Sequence, residues 1–316
     1  MCPPSGGGLR GAYHCAELPF FFGMIRGMKD TPATETDLKQ AEVRIRMKRE
    51  ERDRIMNLHL GDVEETALIP LAVRANESKR KNARIHDPKA VEIIDALGID
   101  TKNFDKLVTH ECVVARTILF DELTKMYIRE NPDAVCINLG CGLDDRFSRV
   151  DNGRISWYNV DLPDSIEVRK KVYEESGREK MVGCSILDDH WSDGIPKEKP
   201  VIVVAEGLFM YFSREQVSAI LNSLTTSFSK GVLLAELMRQ KMMKEDMHDT
   251  VKHTNATFGW GIEKTGKELT LLNERISFVK ETTFSEQMKH DGFMSRILGS
   301  IIGDMNNRLS VFEWGR

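Results

Sequence analysis

Between residues 104 and 130 the apolar positions Phe104, Val108, Cys112, Ala115, Leu119, Leu123 and Met126 recur at steps of three or four, which predicts a helix with one buried stripe. Residues 89–97 read as a shorter helix, with proline at its start and Gly98 just past its end. Further upstream, residues 35–58 are charge-dense helix formers and predict a solvated helix. From residue 134 the period changes. Runs rich in Val, Ile and aromatic residues at 134–139, 156–160, 181–186, 201–205, 231–237, 276–282 and 308–314 predict strands, with helices near 165–176, 214–227 and 293–305 between them. Strand and helix alternating through five units predict an α/β protein whose mainly parallel sheet is covered on both faces. The stretch 239–275 before the sixth strand is long for a connector and reads as a substrate cover.

Composition narrows the class. The chain has 316 residues with 41% hydrophobic positions, enough for a globular core. Lys plus Arg number 45 against 49 Asp plus Glu, a net charge of −4, so there is no basic excess for a nucleic-acid groove. No stretch approaches the ~20 apolar residues of a membrane helix. Six cysteines without a C-x-x-C pair or zinc spacing indicate neither a disulfide framework nor a structural metal, and a reducing cytoplasm fits. Residues 1–30 hold a glycine run and an apolar patch broken by Pro19 and Gly23. Without the basic start and unbroken apolar stretch of a secretory signal, they are expected to be a poorly ordered leader. Residues 31–316 then form one domain, with 31–130 as a helical cap and 131–316 as the ligand-binding core.

The chemistry-bearing motif follows the first strand, which runs into Gly140-Cys141-Gly142-Leu143-Asp144-Asp145-Arg146. Glycine is needed where a ligand approaches the backbone too closely for a Cβ, and in open α/β sheets ligands sit at the carboxyl ends of strands. Asp161 ends the second strand 21 residues after Gly140, where a carboxylate can accept both hydroxyl protons of a ribose. Asp145 occupies the place of the third glycine of a dinucleotide fingerprint, and Asp144 with Asp145 would set two negative charges beside a pyrophosphate. The turn therefore suits a nucleoside without phosphates, of which S-adenosylmethionine is the common example. Arg116 lies four residues after Cys112 and three before Leu119, so it points along the apolar stripe. A buried guanidinium needs an anion, either a protein carboxylate or the α-carboxylate of that cofactor.

Together these segments resemble the leucine carboxyl methyltransferase family, and within it the bacterial O-methyltransferases related to polyketide-biosynthesis enzymes. The resemblance rests on Val114-Ala115-Arg116-Thr117, Leu139-Gly140-Cys141-Gly142-Leu143-Asp144-Asp145-Arg146, Asn159-Val160-Asp161-Leu162-Pro163 and Ala205-Glu206-Gly207-Leu208-Phe209-Met210-Tyr211 in family order. It runs from about Thr66 to Trp314. It implies a class I methyltransferase fold with seven strands, the last antiparallel, S-adenosylmethionine as cofactor, and methyl transfer to a carboxylate or hydroxyl. Carried over, Arg116 matches the arginine at the cofactor carboxylate, Gly140 the glycine beneath the methionine moiety, with Gly142 in the same turn, and Asp161 the ribose acid. Glu206 matches the acid lining the cofactor and substrate cleft. Arg74 falls where the family places a basic residue near the cofactor carboxylate, with a plain surface arginine as its alternative. Ser185 and Ile186 stand where relatives have Asp-Leu for the adenine, and a hydroxyl and a backbone N–H can still serve.

A carboxylate acceptor is ionised at neutral pH and needs no general base, whereas a hydroxyl acceptor does, for which His253 and His110 are the candidates. Phe258-Gly259-Trp260-Gly261 would pack a lid. Cys141, without a histidine partner, reads as a small filler. The function expected is S-adenosylmethionine-dependent O-methylation of a small molecule. Its alternatives are methylation of a protein C-terminal carboxylate, a cofactor-binding protein without turnover, and an NAD-linked oxidoreductase, the last disfavoured by the missing third glycine.

Overall fold

The computed structural model describes residues 65–243 and 258–315, which lie within one compact unit, Arg52–Arg316. The expected leader, the solvated helix at 35–58 and His253 fall outside the described residues. Seven strands are present: β1 (Val135–Leu139), β2 (Ser156–Asp161), β3 (Glu179–Gly183), β4 (Val201–Ala205), β5 (Gly231–Leu237), β6 (Ser277–Thr283) and β7 (Arg308–Trp314). They form one sheet in the order β3-β2-β1-β4-β5-β7-β6. Only β7 runs antiparallel to its neighbours β5 and β6, the class I methyltransferase arrangement anticipated above. Every residue of β1, β4 and β5 is buried, which is why those strands read as apolar runs, broken only by Asn138 in β1 and Glu236 in β5. The chain runs outward from β1 through β2 to β3 and then returns to β4 on the other side of β1. Neighbouring connections there leave in opposite directions and open a crevice at the strands' carboxyl ends.

Eight α-helices are described: α1 (Glu65–Ser78), α2 (Pro88–Leu97), α3 (Leu107–Glu130), α4 (Arg146–Val150), α5 (Pro163–Val172), α6 (Arg214–Ser227), α7 (Phe284–Met288) and α8 (Phe293–Ile302). Alternating side chains of β1 split between two cores: Val135, Ile137 and Leu139 join Ile220, Leu221 and Leu224 of α6, while Cys136 joins Phe120 and Leu123 of α3. A third cluster, with Leu68 and Leu71 of α1, Ile93 and Ile94 of α2, Leu143 and Tyr173, caps the strand ends on one side of the crevice.

Several boundaries move for local reasons. The third strand ends at Gly183 and not at 186, because the ladder with β2 makes its last bond from Cys184 N–H to Asp161 O at 2.9 Å and the chain then enters a turn closed by Asp188 N–H on Ser185 O at 3.0 Å. Helix α5 stops at Val172, where Tyr173 turns extended and closes the helix by donating its N–H to Arg169 O. Helix α3 starts at Leu107 and not at Phe104, and Val108 near its start is half-exposed, so the buried stripe begins about one turn later. Helix α1 was not anticipated, since it carries Pro70 in its interior. Five-residue α4 and α7 are too short to show periodicity. The expected cover over 239–275 is corrected in part. Ile262 and Leu269 are fully buried in the main core, so the stretch that includes them is structural, and only Met242 and Phe258 of the described portion face the crevice.

Candidate active site

A cleft of about 1010 Å³ opens at the carboxyl ends of the central strands, and Arg74, Arg116, Gly140, Gly142, Asp161, Ser185, Ile186 and Glu206 all line it. At its floor the turn after β1 takes left-handed backbone at Gly140 (φ 63°) and Gly142 (φ 45°). A Cβ at Gly140 would stand 2.7 Å from Leu208 Cδ1, so the turn needs glycine for both conformation and space. Gly142 N–H donates to Asp161 Oδ2 and Leu162 N–H to Asp161 Oδ1, each at 2.8 Å. The carboxylate is thereby fixed at the end of β2, and each oxygen retains a lone pair for a hydroxyl.

Arg116 reaches the cleft from α3 and meets two carboxylates: Glu206 Oε1 lies 2.9 Å from Nε and Glu236 Oε2 3.2 Å from Nη1. Of the two readings left open by the sequence, the ion pair with protein carboxylates is what the structure contains. The pairing is incomplete, for the Nε proton is not aimed at Glu206 and has no hydrogen-bond partner. Glu206 places its other oxygen 2.6 Å from Arg146 Nη2. Glu236 also accepts from Gly207 N–H at 2.8 Å and from Asn307 Nδ2 at 2.7 Å. Glu236 and Asn307 both line the cleft and were missed, although Glu236 is the one acid in the otherwise apolar run 231–237.

Arg74 is not a surface arginine. It is 2% exposed, with Nε on Asp87 Oδ2 at 2.7 Å and Nη2 donating to Leu143 O at 3.0 Å. The charge expected beside the turn also needs correction. Arg146 and Arg149 hold Asp144 at 2.7 and 3.0 Å, and although burial alone would raise its pKa, these guanidiniums keep it far below the usual range. Burial pushes Asp145 up to about 6, and its carboxylate takes the Ser148 hydroxyl at 2.8 Å. Two bare negative charges therefore do not face the cleft. Ser185 lies two residues beyond β3 and its Oγ accepts from Leu187 N–H at 3.2 Å, while Ile186 is buried beside it.

Residues 67–225 match the family described as leucine carboxyl methyltransferase. The tetracenomycin polyketide synthesis O-methyltransferase TcmP of Streptomyces glaucescens is 30% identical over 208 residues, 65% of this chain and 77% of TcmP. The S-adenosyl-L-methionine-dependent methyltransferase dpfgK of Gibberella zeae is 28% identical over 196 residues, 56% of this chain and 65% of its own length. The chain belongs to the leucine carboxyl methyltransferase family. Its fold matches a crystal structure from Thermobifida fusca YX named as a methyltransferase, with a TM-score of 0.55 and 10% identity over 83% of this chain and 97% of the other. A DUF574 family protein of Streptomyces avermitilis gives 0.54 at 12% identity over 80% and 98%.

The remaining candidates separate within this methyltransferase. His110 is not a base for a cleft-bound acceptor: it is 2% exposed, does not line the cleft, and has Nδ1 2.7 Å from Asp105 and Nε2 2.9 Å from Glu77. Burial alone would lower its pKa, but the hydrogen bonds with Asp105 and Glu77 raise it above the ordinary value. Cys141 is 3% exposed with its thiol pushed well up by burial, which agrees with a filler and not a nucleophile. The cleft is also lined by Met210, Tyr211, Phe212, Met238, Met242 and Phe258, with the Tyr211 and Phe258 rings stacked at 5.8 Å. No histidine lines the cleft among the described residues.

Proposed function

We propose that this chain transfers the methyl group of S-adenosylmethionine to an oxygen, carboxylate or hydroxyl, of a small molecule. The observation that carries the reading is the convergence of three devices in one cleft: the glycine turn, the doubly anchored Asp161 and the Arg116–Glu206 pair. The residues fit the cofactor. Gly140 and Gly207 keep the floor free of Cβ atoms, one at Gly207 falling 3.6 Å from Arg116 Nη1, and the orphaned Arg116 Nε is a donor awaiting an acceptor. Bound S-adenosylmethionine supplies a methyl group on a cationic sulfur. Arg116 receives the amino-acid carboxylate and Glu206 the ammonium, so a zwitterion replaces an ion pair and leaves the buried charge balanced. Asp161 accepts the ribose hydroxyls, and Ser185 with Ile186 borders the adenine.

The methionine and aromatic wall aligns the acceptor and excludes water, which suffices for an in-line displacement on an activated carbon. A carboxylate or an acidic phenol is ionised near neutral pH and needs no general base from the cleft. The name of TcmP supports oxygen as the methylated atom. Calorimetry with S-adenosylmethionine, S-adenosylhomocysteine and NAD tests the cofactor, and tighter binding of NAD overturns it. Labelled methyl transfer to panels of aromatic acids, phenols, amines and peptide C-termini tests the acceptor. Incorporation into acids or phenols is expected. Label entering only amines overturns O-methylation, and label entering only peptides replaces the small molecule with a protein carboxylate.

A further inference from the structure

Three successive carbonyls of the cofactor turn are engaged by buried side chains that do not themselves line the cleft, or reach it only at one edge. Arg169 Nη1 of α5 donates to Gly142 O at 3.0 Å and to Asp144 O at 2.8 Å. Leu143 O, between them, accepts from Tyr173 Oη and from Arg74 Nη2, each at 3.0 Å. The Arg169 guanidinium is fully buried and lies 4.2 Å from the Tyr173 ring centroid. Its Nε and Nη2 have no hydrogen-bond partner, and the nearest carboxylate oxygen, Glu179 Oε1, is 3.6 Å from Nη2. A cation with two unused donors is an expensive way to fill a core, and an apolar side chain of similar volume would stabilise the fold better.

What the arrangement accomplishes is local. Gly140 and Gly142 both sit at positive φ, and a turn with two such glycines has many alternative conformations open to it. Capture of the carbonyls at 142, 143 and 144 from behind restricts the turn to the one conformation in which Gly142 N–H stays on Asp161. We propose that Arg169 and Tyr173 are positioning residues that hold the cofactor turn in its binding conformation before the cofactor arrives, so that ordering it costs no binding energy. This rests on the cofactor reading above. Neither residue lines the cleft, so neither can touch a ligand bound there directly.

The test uses the full chain, with S-adenosylhomocysteine as probe in calorimetry and amide hydrogen exchange in the ligand-free protein. Arg169→Lys keeps the charge but ends one bond short of Nη1, the nitrogen that donates to both carbonyls, and Tyr173→Phe keeps the ring and removes one bond. Arg169→Lys is expected to weaken binding about tenfold and Tyr173→Phe about threefold, the order expected for lost preorganisation. Amide exchange across 140–145 should quicken in both variants while exchange in β4, β5 and α6 stays at the wild-type rate. Wild-type affinity in a folded Arg169→Lys variant overturns the proposal. Exchange quickening through the whole sheet also overturns it, by making both residues merely structural. Should Arg169→Lys fail to fold, Tyr173→Phe decides the matter alone. If the wild type does not bind S-adenosylhomocysteine, the cofactor reading fails, and exchange at 140–145 still reports whether the turn is locked.

Discussion

On one wall of the cleft Asp161, Glu206, Arg116 and Glu236 each meet at least two polar partners drawn from the backbone or from another charged side chain. On the other, Met210, Tyr211, Met238, Met242 and Phe258 present sulfur and ring surface. The first wall is defined by direction, since a hydrogen bond displaced by an ångström is largely lost. The second is defined by shape, since thioethers and rings repack at small cost. The charged wall is also continuous with the fold: Arg146 meets Glu206, Asp144 and Asp121, and Arg149 links Asp121 and Asp144 to Asp87, the N-cap of α2.

Breaking that network should be the most damaging change. Arg146→Met removes one of the two guanidiniums on each of Asp121, Asp144 and Glu206, leaving Arg149 or Arg116 on each, and should destabilise the ligand-free fold by about 3–5 kcal/mol, measured by urea unfolding. Stability within 1 kcal/mol of wild type would mean that the charged wall is not structural. Arg116→Met takes one guanidinium from Glu206, which keeps Arg146, and from Glu236, which keeps Gly207 N–H and Asn307, so a loss of about 2–3 kcal/mol is expected, together with at least about tenfold weaker cofactor binding. Unaltered affinity would confine Arg116 to the fold.

Away from the cleft, Glu77 offers a comparison by pH. Burial alone would raise its pKa, but hydrogen bonds from the Arg84 side chain and backbone and from His110 outweigh it and hold the carboxyl at about 2. Its folded value lies below the ordinary 4.5, so its stabilisation is present above that pH and is lost as pH falls toward 2, worth about 3 kcal/mol. His110 has the opposite sign: raised above 6.5, it contributes fully below that value and loses its contribution as pH rises through its folded pKa. Melting temperatures from pH 2 to 9 should therefore show both limbs, and Glu77→Gln should flatten the acid one. An unchanged acid limb in that variant would assign the acid sensitivity elsewhere.

Asp161→Ala should weaken S-adenosylhomocysteine binding by about 1.5–3 kcal/mol with little change in folding, as read by calorimetry. No change in the dissociation constant would remove it from the site. The smallest effect on cofactor belongs to the apolar wall. Phe258→Ala should leave cofactor affinity within about twofold and alter only which acceptors are methylated, because it removes the ring stacked on Tyr211. A tenfold loss of cofactor affinity there would collapse the distinction between the walls.

The largely apolar runs of β1, β4 and β5, the ends of α2, the helix at α6, and the glycine turn with Asp161 were all readable along the chain, because each depends on residues close in sequence or on a fixed period. The partners of Arg116 and Arg74 were not readable. Glu236 lies 120 residues from Arg116, and Leu143 lies 69 from Arg74. His110 was a candidate base until its surroundings put Asp105 and Glu77 on its two nitrogens. Arg169 carried no signal at all, since a charged residue in a short amphipathic helix reads as solvated until the turn is seen packed against it.

By itself, then, the sequence determined the α/β class, the place of the glycine turn and several of the residues that line the cleft around it, since propensity, periodicity and backbone freedom are properties of local segments. Which carboxylate neutralises which guanidinium, and which charge is left facing the cleft, was decided only by the tertiary structure. Coulomb energy and desolvation depend on distances between groups from different elements, and those distances exist only once the elements have packed.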